Sequence, residues 1–79
     1  MNKIYQFLDG KIIIAANHND FFTKLRNGSF HPLNSDIEYM EEFAKRFYII
    51  YGKYLETKNI DSFVESMIIY KLVYIREFN

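Results

Sequence analysis

Ile4-Tyr5-Gln6-Phe7-Leu8-Asp9-Gly10-Lys11-Ile12-Ile13-Ile14-Ala15-Ala16 decides the fold. Two β-branched and aromatic runs flank Asp-Gly, a pair that tolerates the positive φ of a tight turn. The stretch predicts a β-hairpin with a two-residue type I′ turn at Asp9-Gly10. A hairpin cannot bury its own apolar face, so the rest of the chain must supply the cover.

Working outward, Asn17, His18 and Asn19 break the strand pattern. Residues 20–26 follow as a short helical segment, ended by the capping pair Asn27-Gly28. Residues 29–34, with His31-Pro32, read as a loop. Ser35 followed by Glu38 is the capping-box spacing that opens the longest helix. At 100° per residue, Ile37, Tyr39, Met40, Phe43, Ala44, Phe47, Tyr48, Ile50, Tyr51, Tyr54 and Leu55 share half of its wheel. Ile49 alone sits among the charges. Gly52 leaves the end open: the helix runs on to about residue 56, or stops at Tyr51 and frees residues 53–57 as an extended piece. An echo favours the stop. Asn17-His18-Asn19-Asp20-Phe21-Phe22 and Asn59-Ile60-Asp61-Ser62-Phe63-Val64 share a pattern, which also fits two helices with similar caps. A last helix over residues 60–70 and a closing strand over residues 72–78 complete the chain. The expected fold is one small α+β domain over residues 1–79. Its helices pack on one face of an antiparallel or mixed sheet.

Composition bounds the rest. At 79 residues and 9.6 kDa with no Cys, the chain has no disulfide, thiolate metal site or cysteine nucleophile, and stands near the lower size limit for an unstapled core. Ten basic and ten acidic side chains balance, which argues against a nucleic-acid partner. Ile, Lys, Asn, Phe and Tyr supply 40 of the 79 residues. Their codons are the richest in A and T, so the coding bias points to an AT-rich source such as a low-GC bacterium, its phages or its mobile elements. No apolar run exceeds five residues, far short of the roughly 20 that span a membrane, and no signal peptide is visible. A cytoplasmic protein with no membrane contact is expected.

Residues that carry chemistry are few. His18 and His31 are thirteen apart, with Asp20 as the nearest carboxylate, too sparse for a metal site. Asp36, Glu38, Glu41 and Glu42 read as the acidic start of a solvated helix face, with Glu41–Lys45 and Glu42–Arg46 at i,i+4 spacing. Ser29, Ser35, Ser62 and Ser66 lack a nucleophile context, and three glycines make no phosphate loop. No catalytic residue, metal ligand or cofactor is expected. Lys3, Lys11, Lys24 and Arg26, with Tyr5 and Phe7, are the one candidate patch for stacking and phosphate contact, and a solvated sheet edge protected by lysines is the favoured reading of the same residues.

Fifteen aromatic rings exceed what so small an interior can hide. Tyr39, Tyr48, Ile49, Tyr70, Tyr74 and Phe78 are therefore the candidate protein-contact surface. The function expected is a small non-enzymatic protein–protein interaction module, with self-association into a homodimer as the simplest use of the patch. A small nucleic-acid-binding regulator is the alternative.

Overall fold

Three strands and three helices follow in the order β1 (Lys3–Phe7), β2 (Ile12–Ala15), α1 (His18–Asn27), α2 (Asp36–Tyr51), α3 (Ile60–Ile69) and β3 (Val73–Glu77). The structure, a computed structural model, describes residues 2–28 and 35–77. The sheet is antiparallel with order β2-β1-β3, so the small α+β fold is as expected. His31 and Phe78 lie outside the described residues.

The hairpin differs from its expected turn. The Phe7 carbonyl accepts from Gly10 N–H at 3.0 Å, Gly10 has φ +96°, and Phe7 N–H donates to the Lys11 carbonyl at 2.8 Å. The loop is therefore three residues, Leu8 to Gly10, with the glycine in the positive-φ position that closes such loops. The extra residue shifts register by one and flips faces. Tyr5 pairs with Ile13, which puts Tyr5, Phe7, Ile13 and Ala15 on the helix-covered side and leaves Ile12 and Ile14 on the open side. β3 adds Val73 and Ile75 to the covered side and Tyr74 to the open one.

Side-chain caps explain the helix starts. Asn17 accepts from Asp20 N–H and Asn59 from Ser62 N–H, both at 2.8 Å. The sequence echo is thus a repeated cap. Ser35 Oγ accepts from Glu38 N–H at 3.1 Å and donates to the Glu38 carboxylate at 3.2 Å. α2 stops at Tyr51, where Gly52 takes φ +73° and donates to the Tyr48 carbonyl. Residues 53–57 are neither helix nor strand. They are held instead by Leu55, 3 % exposed, and by Ser66, whose Oγ accepts from Glu56 N–H and donates to the Phe63 carbonyl. α3 ends in paired bonds from Lys71 N–H to the Ile68 carbonyl and from Leu72 N–H to the Met67 carbonyl, with Lys71 in the left-handed region.

The core is a chain of rings. Tyr5 stacks on Phe21 at 4.4 Å, and Phe22 meets both Tyr39 and Phe63 edge-on. Phe43 reaches Phe63 from α2 at 5.6 Å. Such geometries add to area burial by about 0.5–1.5 kcal/mol per pair. α2 thus joins the body through long aromatic side chains, and an Arg26–Asp36 ion pair ties its start to the end of α1.

Candidate partner-binding surface

The aromatic side chains divide cleanly. Every exposed ring among the described residues is a tyrosine: Tyr48, Tyr51, Tyr54, Tyr70 and Tyr74. Tyrosine keeps its hydroxyl in water while its ring covers apolar surface. The five candidate contact residues that are described do not form one patch. Tyr39 is 5 % exposed and belongs to the core, which corrects its assignment to the surface. Tyr48 and Ile49 lie on the outer side of α2. Tyr70 sits at the end of α3, and Tyr74 is on the open face of the sheet with Ile12 and Ile14.

The helical wheel puts more of α2 inside than the body can cover. Ile37, Ile50 and Tyr51, assigned to its apolar half, are 58 %, 71 % and 53 % exposed. Below Ile50 and Tyr51 runs an open cleft of about 420 Å³ between α2 and the hairpin tip, walled by Leu25, Phe43, Phe47 and Leu72. A second hollow of about 110 Å³ shares Phe47, Tyr51 and Leu72 with it and extends to Leu8 and Tyr70. Leu8 is 64 % exposed because the three-residue loop projects it outward; its N–H donates to the Leu72 carbonyl. The result is one contiguous apolar end of the molecule.

Cations line this end. Lys11 and Arg46 border the larger hollow and Lys53 the smaller. Lys11 Nζ lies 5.8 Å from the Phe7 ring centre and Lys53 Nζ 5.4 Å from that of Tyr70. Glu42 was the expected i,i+4 partner of Arg46. The ion pairs found are His18–Glu65, Lys24–Asp20 and Arg26–Asp36, so among the described residues no carboxylate pairs with Arg46. Glu38, Glu41 and Glu42 gather with Lys45 around a separate solvent-facing hollow. Sequence reasoning places Lys11 in a hairpin-side patch and misses Arg46 and Lys53, because i,i+4 spacing gives Arg46 to Glu42 and nothing in the spacing of Lys53 marks the cleft.

The candidate stacking patch on the hairpin does not form. Tyr5 is fully buried and Phe7 is 9 % exposed. Lys24 pairs with Asp20 and donates to the Ile14 carbonyl at 2.8 Å. That carbonyl belongs to the free edge of β2, so the lysine blunts the edge.

His18 is a structural link rather than a loop histidine. Its Nε2 lies 2.9 Å from Glu65 Oε1 and its Nδ1 3.0 Å from the Tyr5 hydroxyl. A carboxylate only accepts, so Nε2 carries the proton, and in the neutral ring Nδ1 then accepts from Tyr5. β1, α1 and α3 are pinned by that relay. Burial first, then the negative charges of Asp20, Glu65 and Asp61, raise the Tyr5 pKa. Asp20, far from pairing with His18, accepts from Ala16 N–H and then Lys24, which lowers its pKa. Burial also raises Tyr39, against the pull of Arg46 and Arg26.

Among the described residues no three His, Asp or Glu side chains gather to hold a metal ion, and no helix is long and apolar enough to cross a membrane. No family model, curated protein or solved structure matches the chain.

Proposed function

We propose that this is a small non-enzymatic interaction module that binds a protein partner stoichiometrically through the cleft end of α2. One observation carries the reading. Leu8, Ile50, Tyr51 and Tyr70 are exposed around a continuous apolar hollow, in a chain whose other large apolar side chains suffice to fill its core. Exposed aromatic and aliphatic side chains around a concavity have the composition of contact surfaces. Small size and AT-rich coding suit an accessory protein of a phage or mobile element. A photo-crosslinking amino acid in place of Tyr51, in the cell that encodes the protein, is expected to give a discrete protein adduct. The same group in place of exposed Thr23, on α1, is expected to give none. Equal adducts from both positions, or none from 51, would contradict the reading.

A second reading concerns self-association. Ile37, Tyr48 and Ile49 share the outer side of α2, whose first half is acidic and whose second half carries Lys45 and Arg46. A second copy laid antiparallel would face Glu41 with Lys45, a self-complementary pattern of the kind two-fold interfaces need. Sedimentation at increasing concentration tests it, with Ile49→Asp expected to abolish any dimer. A monomer at all concentrations would remove it.

A further inference from the structure

The paired hollows also carry information about the partner's chemistry, provided that this end of the molecule does bind a protein. We infer that the cleft takes an acidic peptide segment of the partner, with an aliphatic or aromatic anchor seated between α2 and the hairpin tip and carboxylates facing Lys11, Arg46 and Lys53.

Charge complementarity favours such a guest. The chain as a whole is neutral, yet this end collects three cations. The one carboxylate on the cleft wall is Asp9, and its Oδ1 already accepts from Lys11 N–H at 3.0 Å within the turn. The carboxylates of α2 at positions 38, 41 and 42 line a different hollow. A guest bearing carboxylates therefore meets two cations along the larger hollow, a third along the smaller and little repulsion, which favours encounter and sets specificity.

Shape points the same way. The larger hollow falls within the about 300–1,000 Å³ typical of ligand sites, and the smaller continues it past Phe47 and Tyr51. Two connected hollows suit a chain with successive side chains better than one compact molecule.

The rings decide between peptide and nucleic acid. Base stacking needs free aromatic faces. Here Lys11 lies over Phe7 and Lys53 over Tyr70, while Phe47 packs against Tyr51 at 4.6 Å and Tyr70 at 5.9 Å. Tyr39 and Phe43 are packed on each other and on Phe22 and Phe63, and the other walls, Leu8, Leu25, Ile50 and Leu72, accept aliphatic side chains.

A random dodecapeptide display library selected on the immobilised full chain at about 150 mM salt tests the inference. Enriched peptides are expected to place Asp or Glu beside Leu, Ile, Phe or Trp. A synthetic peptide of the enriched pattern is expected to bind about tenfold or more weakly to Arg46→Glu and to Lys11→Glu, and unchanged to Lys45→Glu on the outer side of α2. Arg46→Gln, a milder change, should fall between, and circular dichroism of each variant excludes unfolding. Enriched peptides without acidic residues that still need Ile50 and Tyr51 would overturn the inference and leave the interaction reading standing. No enrichment, equal binding to Arg46→Glu and Lys45→Glu, or displacement of the peptide by a twelve-nucleotide oligothymidylate would overturn it as well. Failure of the wider reading would show instead as loss of the residue-51 adduct.

Discussion

Helices α3 and α2 use apolar side chains in opposite ways. α3 packs against α1, β3 and the Phe43 ring of α2, and hides Phe63, Val64 and Met67 completely. α2 carries more rings than any other element, yet leaves Tyr48, Ile49, Ile50 and Tyr51 more than two-fifths exposed. An element covered on two sides spends its apolar residues on stability; one covered on a single side has residues left over. On α2 all of this surplus but Ile37 gathers toward the carboxy-terminal end, where the helix passes the hairpin tip and Gly52 turns the backbone away.

That contrast can be broken by substitution. Phe63→Ala removes the ring on which Phe22 and Phe43 both converge, and should cost about 3–5 kcal/mol, enough to unfold so small a domain at room temperature. Phe43→Ala, on the half-buried side of the same contact, should cost less. Equal losses in urea unfolding would mean that α2 is as enclosed as α3.

The relay on the sheet side offers a second probe. Tyr5→Phe leaves the His18 ring without its donor and should cost about 1–3 kcal/mol. The alkaline limb follows from the raised pKa values of Tyr5 and Tyr39. A raised folded pKa means stability that is complete below the ordinary tyrosine value near 10 and is lost as pH climbs through the folded value. Wild type should therefore lose stability above about pH 10, and Tyr5→Phe should flatten part of that loss. An unchanged alkaline profile would show that Tyr5 has no part in it.

Helix ends sharpen the comparison at about 1 kcal/mol. Asn17→Ala and Asn59→Ala should each destabilise by about that amount, since both lose the same 2.8 Å cap. Lys71→Gly should stabilise by about 1–2 kcal/mol, because Lys71 holds φ 62° at the exit from α3 without glycine's freedom.

Much of this architecture is legible in the sequence. Ser35 announces the start of α2 because its cap is local chemistry, whereas the pattern starts α1 at residue 20, two residues late, and Gly52 leaves the stop of α2 open between Tyr51 and about residue 56. The hairpin is legible as a hairpin, but its register is not: Asp9-Gly10 fits both a two-residue and a three-residue loop, and only cross-strand pairing chooses. Lys71 gives no local sign of a left-handed residue, so the pattern carries α3 one residue too far. The site is harder still. Periodicity ranks residues around a wheel but does not say how wide an arc the body covers, so Ile50 and Tyr51 fall inside by that rule and Tyr39 falls at the contact surface. The cationic rim depends on the hairpin tip meeting α2, a contact between residues about thirty-five positions apart that no spacing rule reaches.

Folding and binding are held to use separate apolar sets, and urea unfolding of the double variant Ile50→Ser/Tyr51→Ser tests that claim most directly. The variant is expected to stay within about 1.5 kcal/mol of wild type, the upper worth of the one ring contact it loses, Tyr51 on Phe47. A loss of several kcal/mol, comparable to Phe63→Ala, would place these side chains in the core and contradict the separation.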